Sequence, residues 1–326
     1  MIARRTCAQR ASRNAGIFGL LLFAGPALAQ SLPSYTSLNP MVQMRSGLAT
    51  LPWYGPERKW HVSWSLDYGN AIEYRDGELT DYVLDAELLN QRVLVARTVG
   101  KHLFLLGEAS YHASYDGFLD GFLDWYHNLT GLHVAARSLR PKNQFGYELR
   151  IGEEEFHYQK ASYFGDLRLG GGARYGKGWQ SAVWATVPTG SKPNGYRKGV
   201  ASFNTSTMFH RDFGANDRFT YEGSAGLGFT PKHGELRTWQ RTVFFMFTQG
   251  VRARLVGPLN AFANIFYQTA NYRRAGAPDL DSKELTIDTG ALLHFRKGPT
   301  WLIGMTQDLS PHGPAIDVAF RFGAYW

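Results

Sequence analysis

Asp120, Asp124 and His127 stand four and three residues apart, a spacing that puts all three on one stripe of an α-helix. Such a stripe offers oxygen and nitrogen ligands to one divalent cation, and Glu153, Glu154, Glu155 and His157 follow in the same stretch of chain. Without a further ligand fixed in space, an acidic face turned to water is the plainer reading. A hydrolytic chemistry would need Ser110, Ser202 or Ser206 beside His112 or His210. None of these serines lies in a Gly-x-Ser-x-Gly turn, so the residues point away from an enzyme. The third chemistry is charge recognition. Arg252, Arg254, Arg296 and Arg321, with Glu222, Asp288, Asp317 and His294, fall at alternating positions of apolar-polar stretches, together with His61, Asp67, Glu108, Asp166, Arg168, Arg174 and Asp308. Guanidiniums lining one surface attract an anion, whereas acids on the same surface tie them into a stiffening network of ion pairs. No motif asks for a cofactor.

Two kinds of element must hold these residues. In 116–132, Phe118, Leu119, Phe122, Leu123, Trp125, Tyr126 and Leu129 cover one broad arc of a helical wheel, opposite Asp116, Asp120, Asp124 and His127. That is an amphipathic helix, with room to fold over a protein surface or to lie in a membrane interface; its acidic face favours docking on protein. Almost everything else alternates with period two. Trp60, Val62, Trp64, Leu66 and Tyr68 interleave with His61, Ser63, Ser65 and Asp67, and the pattern recurs at 84–99, 103–112, 167–175, 183–187, 200–210, 219–229, 243–255, 259–267, 285–295, 301–305 and 317–326. The phase slips near Leu88 and Leu89, where a bulge is expected.

The ends give an address. Residues 1–29 combine Arg4, Arg5, Arg10 and Arg13 with a short apolar run and the Ala27-Leu-Ala29 site, the make-up of a secretory signal peptide cleaved near Ala29. The lone cysteine, Cys7, leaves with it, so no disulfide is expected. Half of the formal net charge of +8 resides on those four arginines, and the remainder is too mild to argue for nucleic acid. At the other end Val318, Phe320, Phe322, Ala324 and Trp326 alternate on one face, and a last strand stopping on an aromatic resembles the signal by which the barrel assembly machinery recognises outer-membrane barrels.

No stretch of the mature chain approaches the ~20 apolar residues of a spanning helix, while the strands carry one greasy and one polar face, as lipid and lumen require. Short connections at 100–101, 176–178, 213–217, 256–258 and 297–299 alternate with longer ones at 70–82, 112–164, 188–198, 230–237, 271–282 and 309–314. Five short turns and six long loops join twelve strands, so the expected fold is an all-β, antiparallel, up-and-down transmembrane barrel over 58–326, with the helix in a long external loop at 112–163. Residues 146–157 belong to that loop, because a thirteenth strand would break the parity. The segment 30–57 holds Pro33, Pro40, Pro52 and Pro56 without alternation, and either enters the lumen or stays in the periplasm.

The expected function is a narrow passage for a small polar or anionic solute in the bacterial outer membrane, with the loop helix, through Phe118, Phe122 and Trp125, narrowing the external mouth. The alternatives are a closed structural barrel whose external loop engages a partner or divalent cations, and a lipid-modifying enzyme.

Ser37, Leu38, Asn39 and Pro40 with Gly47, Leu48, Leu51 and Pro52, the run from Tyr115 to His127 with Arg137, Phe164 to Leu169, and Val187-Pro-Thr-Gly190 together resemble a Gram-negative family known only as a domain of unknown function, number 3187. The resemblance spans nearly the whole mature chain. It implies the outer membrane and a single barrel, and carries no activity with it.

Overall fold

Successive side chains of a strand point to opposite faces, so a run that alternates greasy and polar can close into a wall with lipid outside and a polar interior. The computed structural model describes residues 31–326 other than 47, 132–133, 190–191, 296, 311 and 315. The expected leader and Arg296 therefore lie outside the described residues. The strands are β1 (Trp60–Arg75), β2 (Thr80–Val99), β3 (Leu103–Tyr115), β4 (Gly146–Ile151), β5 (Glu154–His157), β6 (Ala161–Phe164), β7 (Leu167–Tyr175), β8 (Trp179–Val187), β9 (Ser202–Phe213), β10 (Phe219–Phe229), β11 (Val243–Arg254), β12 (Leu259–Gln268), β13 (Glu284–His294), β14 (Thr300–Asp308) and β15 (Val318–Tyr325). Helices are few: single turns α1 (Pro40–Gln43) and α3 (Pro278–Asp281), and the longer α2 (Asp120–Thr130).

Twelve strands, β1 to β3 and β7 to β15, form a closed antiparallel ring in chain order. It closes where Ser63 to Asn70 of β1 pair with Tyr325 to Val318 of β15, which leaves no free edge. β4 continues the ladder along β2 above the point where β3 stops, β5 pairs with β4, and β6 continues along β3 above the start of β7. Residues 146–157 thus form a hairpin within the long external loop and add no stave to the ring.

The bulge expected at Leu88 and Leu89 is not there: β2 keeps one register against β1 from Arg97 to Tyr82 and against β3 from Val99 to Glu87. The slip in the pattern has another cause. In the lower half of β2 the even positions Asn90 and Arg92 face a polar lumen, and Val93 and Val99 on the odd positions are exposed on the outside. In the upper half the even positions Tyr82, Leu84, Ala86 and Leu88 join an apolar core inside the mouth, while the odd positions Asp85 and Glu87 are buried by chain lying against the outside. The environments on the two faces change while the register does not. For the same reason the expected long loop at 70–82 is mostly strand, with only 76–79 between β1 and β2.

Below that level the outward positions are Leu103, Leu105, Leu169, Val183, Phe203, Leu227, Phe245, Phe247, Val251, Ile303 and Phe322, all exposed, with Trp60, Trp179 and Trp301 at the ends joined by short turns. An exposed apolar belt with an aromatic girdle is a lipid-facing surface.

Candidate functional site

The lumen is filled by the chain's own N-terminal segment. A proline-rich stretch cannot join a ladder as a central strand, yet it packs well as an extended hairpin. Ser31 and Leu32 stand near the short-turn end, where Ser31 Oγ and the Leu32 amide donate to Glu222 of β10 at 2.9 and 2.8 Å. The segment rises to α1 at the external end, where Asn39 Oδ1 accepts the Met41 amide to cap the turn. Arg45 then donates to the carbonyls of Thr230, Pro231 and Arg241 at 2.8–3.0 Å. The descending limb pairs with the rising one: Thr50 N donates to Tyr35 O and Tyr35 N to Thr50 Oγ1. It ends with Tyr54 against Phe104 and Trp53 stacked on His210.

Around this hairpin runs a belt of alternating charge carried by neighbouring strands. Arg321 of β15 donates to Asp67 of β1 at 2.7 Å, to Asp288 of β13, and to the Ser34 carbonyl of the hairpin at 2.6 Å. Arg92 of β2 stands 3.9 Å from both Asp67 and Glu108 and donates to the same Ser34 carbonyl at 2.9 Å. Glu108 of β3 accepts from Arg168 of β7 at 2.6 Å. All six side chains are buried, so each charge relies on its neighbours rather than on water. A second cluster links Glu222, His210 and Asp212, with Arg252 4.0 Å from Asp212.

Beside the hairpin lies an unfilled space bounded by Thr36, Gln43 and Ser46 of the hairpin and by Arg92, Glu108, Ser110, His112, Asp166, Arg168, Thr186 and Lys198 of the wall and loops. Lys198, in the connection after β8, donates to Ser202 at 3.0 Å, and burial pushes its ammonium down to about 7. Lys192 pairs with Asp166. Ser110 Oγ lies 2.8 Å from His112 Nε2, the Ser-His contact a hydrolase would need. The pair faces the lumen rather than lipid, and among the described residues no carboxylate bonds the other ring nitrogen.

Above the hairpin the mouth is closed by an apolar core. Leu38 and Met41 pack with Tyr82, Tyr147, Tyr196 and Tyr272, and Tyr272 donates to the Met41 carbonyl at 3.0 Å. α2, expected to narrow this mouth, lies instead on the outside of the wall. Leu119 and Leu123 pack on Val318, Tyr68, Met305 and Phe320, all outward positions of β1, β14 and β15 or the residues beside them. Phe118, Phe122, Trp125 and Leu129 are left as an exposed apolar stripe continuous with the lipid-facing belt. Of the acidic stripe, Asp120 and His127 are buried, Asp124 is half-buried and Asp116 is exposed. Arg137 donates to Asp120, Asp317 and Asn70 at 2.7–3.0 Å, Lys142 pairs with Asp124, and His127 stands 3.1 Å from Asp317. The Arg137 guanidinium thus stands 3.0 Å from Asp120 and 4.0 Å from Asp124, two of the three residues whose spacing offers ligands to a cation.

The residues singled out from the sequence are therefore distributed over three places. Arg321 and Asp288 meet in the lumen belt, Glu222 holds the start of the hairpin, and Arg252 and Arg254 lie on the lumen face toward the short-turn end, where Arg254 is exposed. His294 pairs with Thr300 at that same end. Asp317, expected in the lumen, instead binds Arg137 outside, because it precedes β15 and the chain there turns toward the α2 loop. The spacing of Ser110, Thr186 and Lys198 gave no sign of a shared cavity, since β3 and β8 meet on either side of β7 and the connection after β8 folds back over them.

No protein-family model matches the sequence, and no curated protein matches it. Among solved structures, an outer-membrane channel from Pseudomonas putida F1 superposes with a TM-score of 0.51 at 11% identity, over 82% of this chain and 94% of that one. The Pseudomonas putida toluene transporter TodX gives 0.41 at 8% over 89% and 97%, and a Pseudomonas aeruginosa FadL homologue gives 0.41 at 10% over 92% and 99%. The likeness is one of fold, a closed antiparallel outer-membrane β-barrel.

Proposed function

We propose that this chain is exported with cleavage near Ala29, assembled into the outer membrane through its last strand ending at Trp326, and works there as a passage for a small polar or anionic solute, closed at rest by its N-terminal hairpin. The observation that carries the reading is the hairpin itself: a separate segment crosses a charged lumen, and its Ser34 carbonyl accepts from Arg92 and Arg321 of the wall, a place that an incoming anion can take. Surrounding outer-membrane lipid is the other partner. The resemblance to the Gram-negative family numbered 3187 is consistent with this address. A second reading, a permanently closed structural barrel, is favoured by the dry pairing of Arg321 with Asp67 and Asp288 and by the sealed mouth.

Single-channel recording separates the two. A Cβ at Gly228 would lie 3.1 Å from Leu48 Cδ2, so the pair Leu48→Cys and Gly228→Cys can tether hairpin to wall. The passage reading expects brief anion-preferring openings in the native protein, abolished by the oxidised tether and restored by reductant. Unbroken silence in the native protein and in the reduced double variant supports the closed barrel.

A further inference from the structure

The unfilled lumen space deepens the passage reading and rests on it. Arg168 gives one guanidinium nitrogen to Glu108 at 2.6 Å and lies over the Trp184 ring at 4.8 Å, which fixes its plane. Its Nε and second terminal nitrogen are buried without a protein partner among the described residues, and so is the Thr186 hydroxyl beside them. Both side chains line the space, and Arg168 and Thr186 are only 7% and 2% exposed. Unpartnered buried donors are costly, so a pair of them on one cavity wall marks a place for an acceptor. The Nε edge of a guanidinium is a planar fork that matches two oxygens of a carboxylate or phosphate. The local charge points the same way: Arg92, Arg168 and Lys198 border the space with two acids, Glu108, which accepts from Arg168, and Asp166, which is engaged by Lys192.

We propose that this cavity binds a small oxyanion, carboxylate or phosphate, held by the Arg168 fork and the Thr186 hydroxyl against the hairpin. Thr36 and Gln43 of the hairpin border the same space. An anion seated there touches both the fixed wall and the movable segment, and by linkage shifts the hairpin toward whichever position holds the anion better.

Calorimetric titration of the full barrel in detergent with inorganic phosphate, acetate and chloride tests this. The expected result is saturable binding of phosphate or acetate but not chloride, weakened at least tenfold in Arg168→Gln and in Thr186→Val. Heat-modifiable gel migration verifies that each barrel is closed; Thr186→Val removes no charge and keeps the test sound if Arg168→Gln does not fold. Binding of phosphate and acetate no stronger than chloride, or affinity unchanged in Thr186→Val, overturns the proposal. Anion binding in a barrel that never conducts leaves the site standing and removes the passage reading, whereas anion-selective current without saturable binding removes the site alone.

Discussion

Replacing Arg321 with methionine removes the cation that Asp67 and Asp288 share and the donor that holds the Ser34 carbonyl of the hairpin. Arg321 is 1% exposed and Asp288 wholly buried, so no water is at hand to take over. Breaking a buried pair by removing one partner costs about 3–5 kcal/mol, because the remaining charge is left uncompensated. Loss of the charged hydrogen bond to Ser34 adds about 1.5–3 kcal/mol at most to the release of the hairpin, since Arg92 still reaches the same carbonyl. Taking about 3 kcal/mol for hairpin opening, the open fraction rises on the order of a hundredfold. The assay is limited trypsin digestion of the folded barrel: Arg45, which is 1% exposed and bonded to three carbonyls, is cleaved only when the hairpin leaves. Arg321→Met should speed that cleavage on the order of a hundredfold, while the triple variant Asp67→Asn, Asp288→Asn, Arg321→Met, which leaves no uncompensated carboxylate but still lacks the donor to Ser34, should regain barrel stability and stay fast in this cleavage. Equal cleavage in native and Arg321→Met proteins would refute the view that this belt holds the hairpin.

Further outcomes are expected elsewhere. Leu123, fully buried between α2 and the wall, should cost about 2–5 kcal/mol of local stability as Leu123→Ala, read as faster amide exchange in α2 with the barrel still closed. Replacing Phe118, Phe122 and Trp125 by serine should leave barrel stability in detergent unchanged, because the three are exposed; brominated lipid should quench a Trp125 signal, taken as the difference from Trp125→Phe, and absence of quenching would show that the stripe does not meet lipid. Lys198 sits at about 7 when folded against an ordinary value of 10.5, with Asp166, Arg168, Arg45 and Lys192 as the charges around it. Between those values the unfolded segment binds the extra proton. Protection of residues 188–201 should therefore rise with pH from about 7, by roughly 1.4 kcal/mol per unit, and flatten near 10.5, while below 7 the penalty of the buried charge is present in full. Lys198→Met should remove that slope.

How far the fold was legible follows from the range of the forces involved. Apolar-polar alternation is a property of each strand by itself, so all twelve staves, the even parity and the inward direction of Asp67, Glu108, Asp288 and Arg321 could be read locally. The wheel of α2 was equally local. What lay out of reach was anything that depends on which surface covers which. An amphipathic helix does not say whether its apolar face meets a mouth, an outer wall or lipid, and α2 packs on the outer wall with part of that face left exposed. β2 changes the environment of both faces halfway along, and in one dimension that is indistinguishable from a bulge.

The sequence by itself therefore determined a twelve-stranded membrane barrel with charges of both signs in its interior, because period two and turn length are written residue by residue. Only the tertiary structure decided that Asp317 faces Arg137 outside, that residues 31–54 fill the lumen, and that Arg168, Thr186 and Lys198 border one space. Those outcomes depend on how loops and the N-terminal segment fold back onto the wall, with contacts across as many as 287 positions of chain, as between Ser34 and Arg321, where no local pattern reaches.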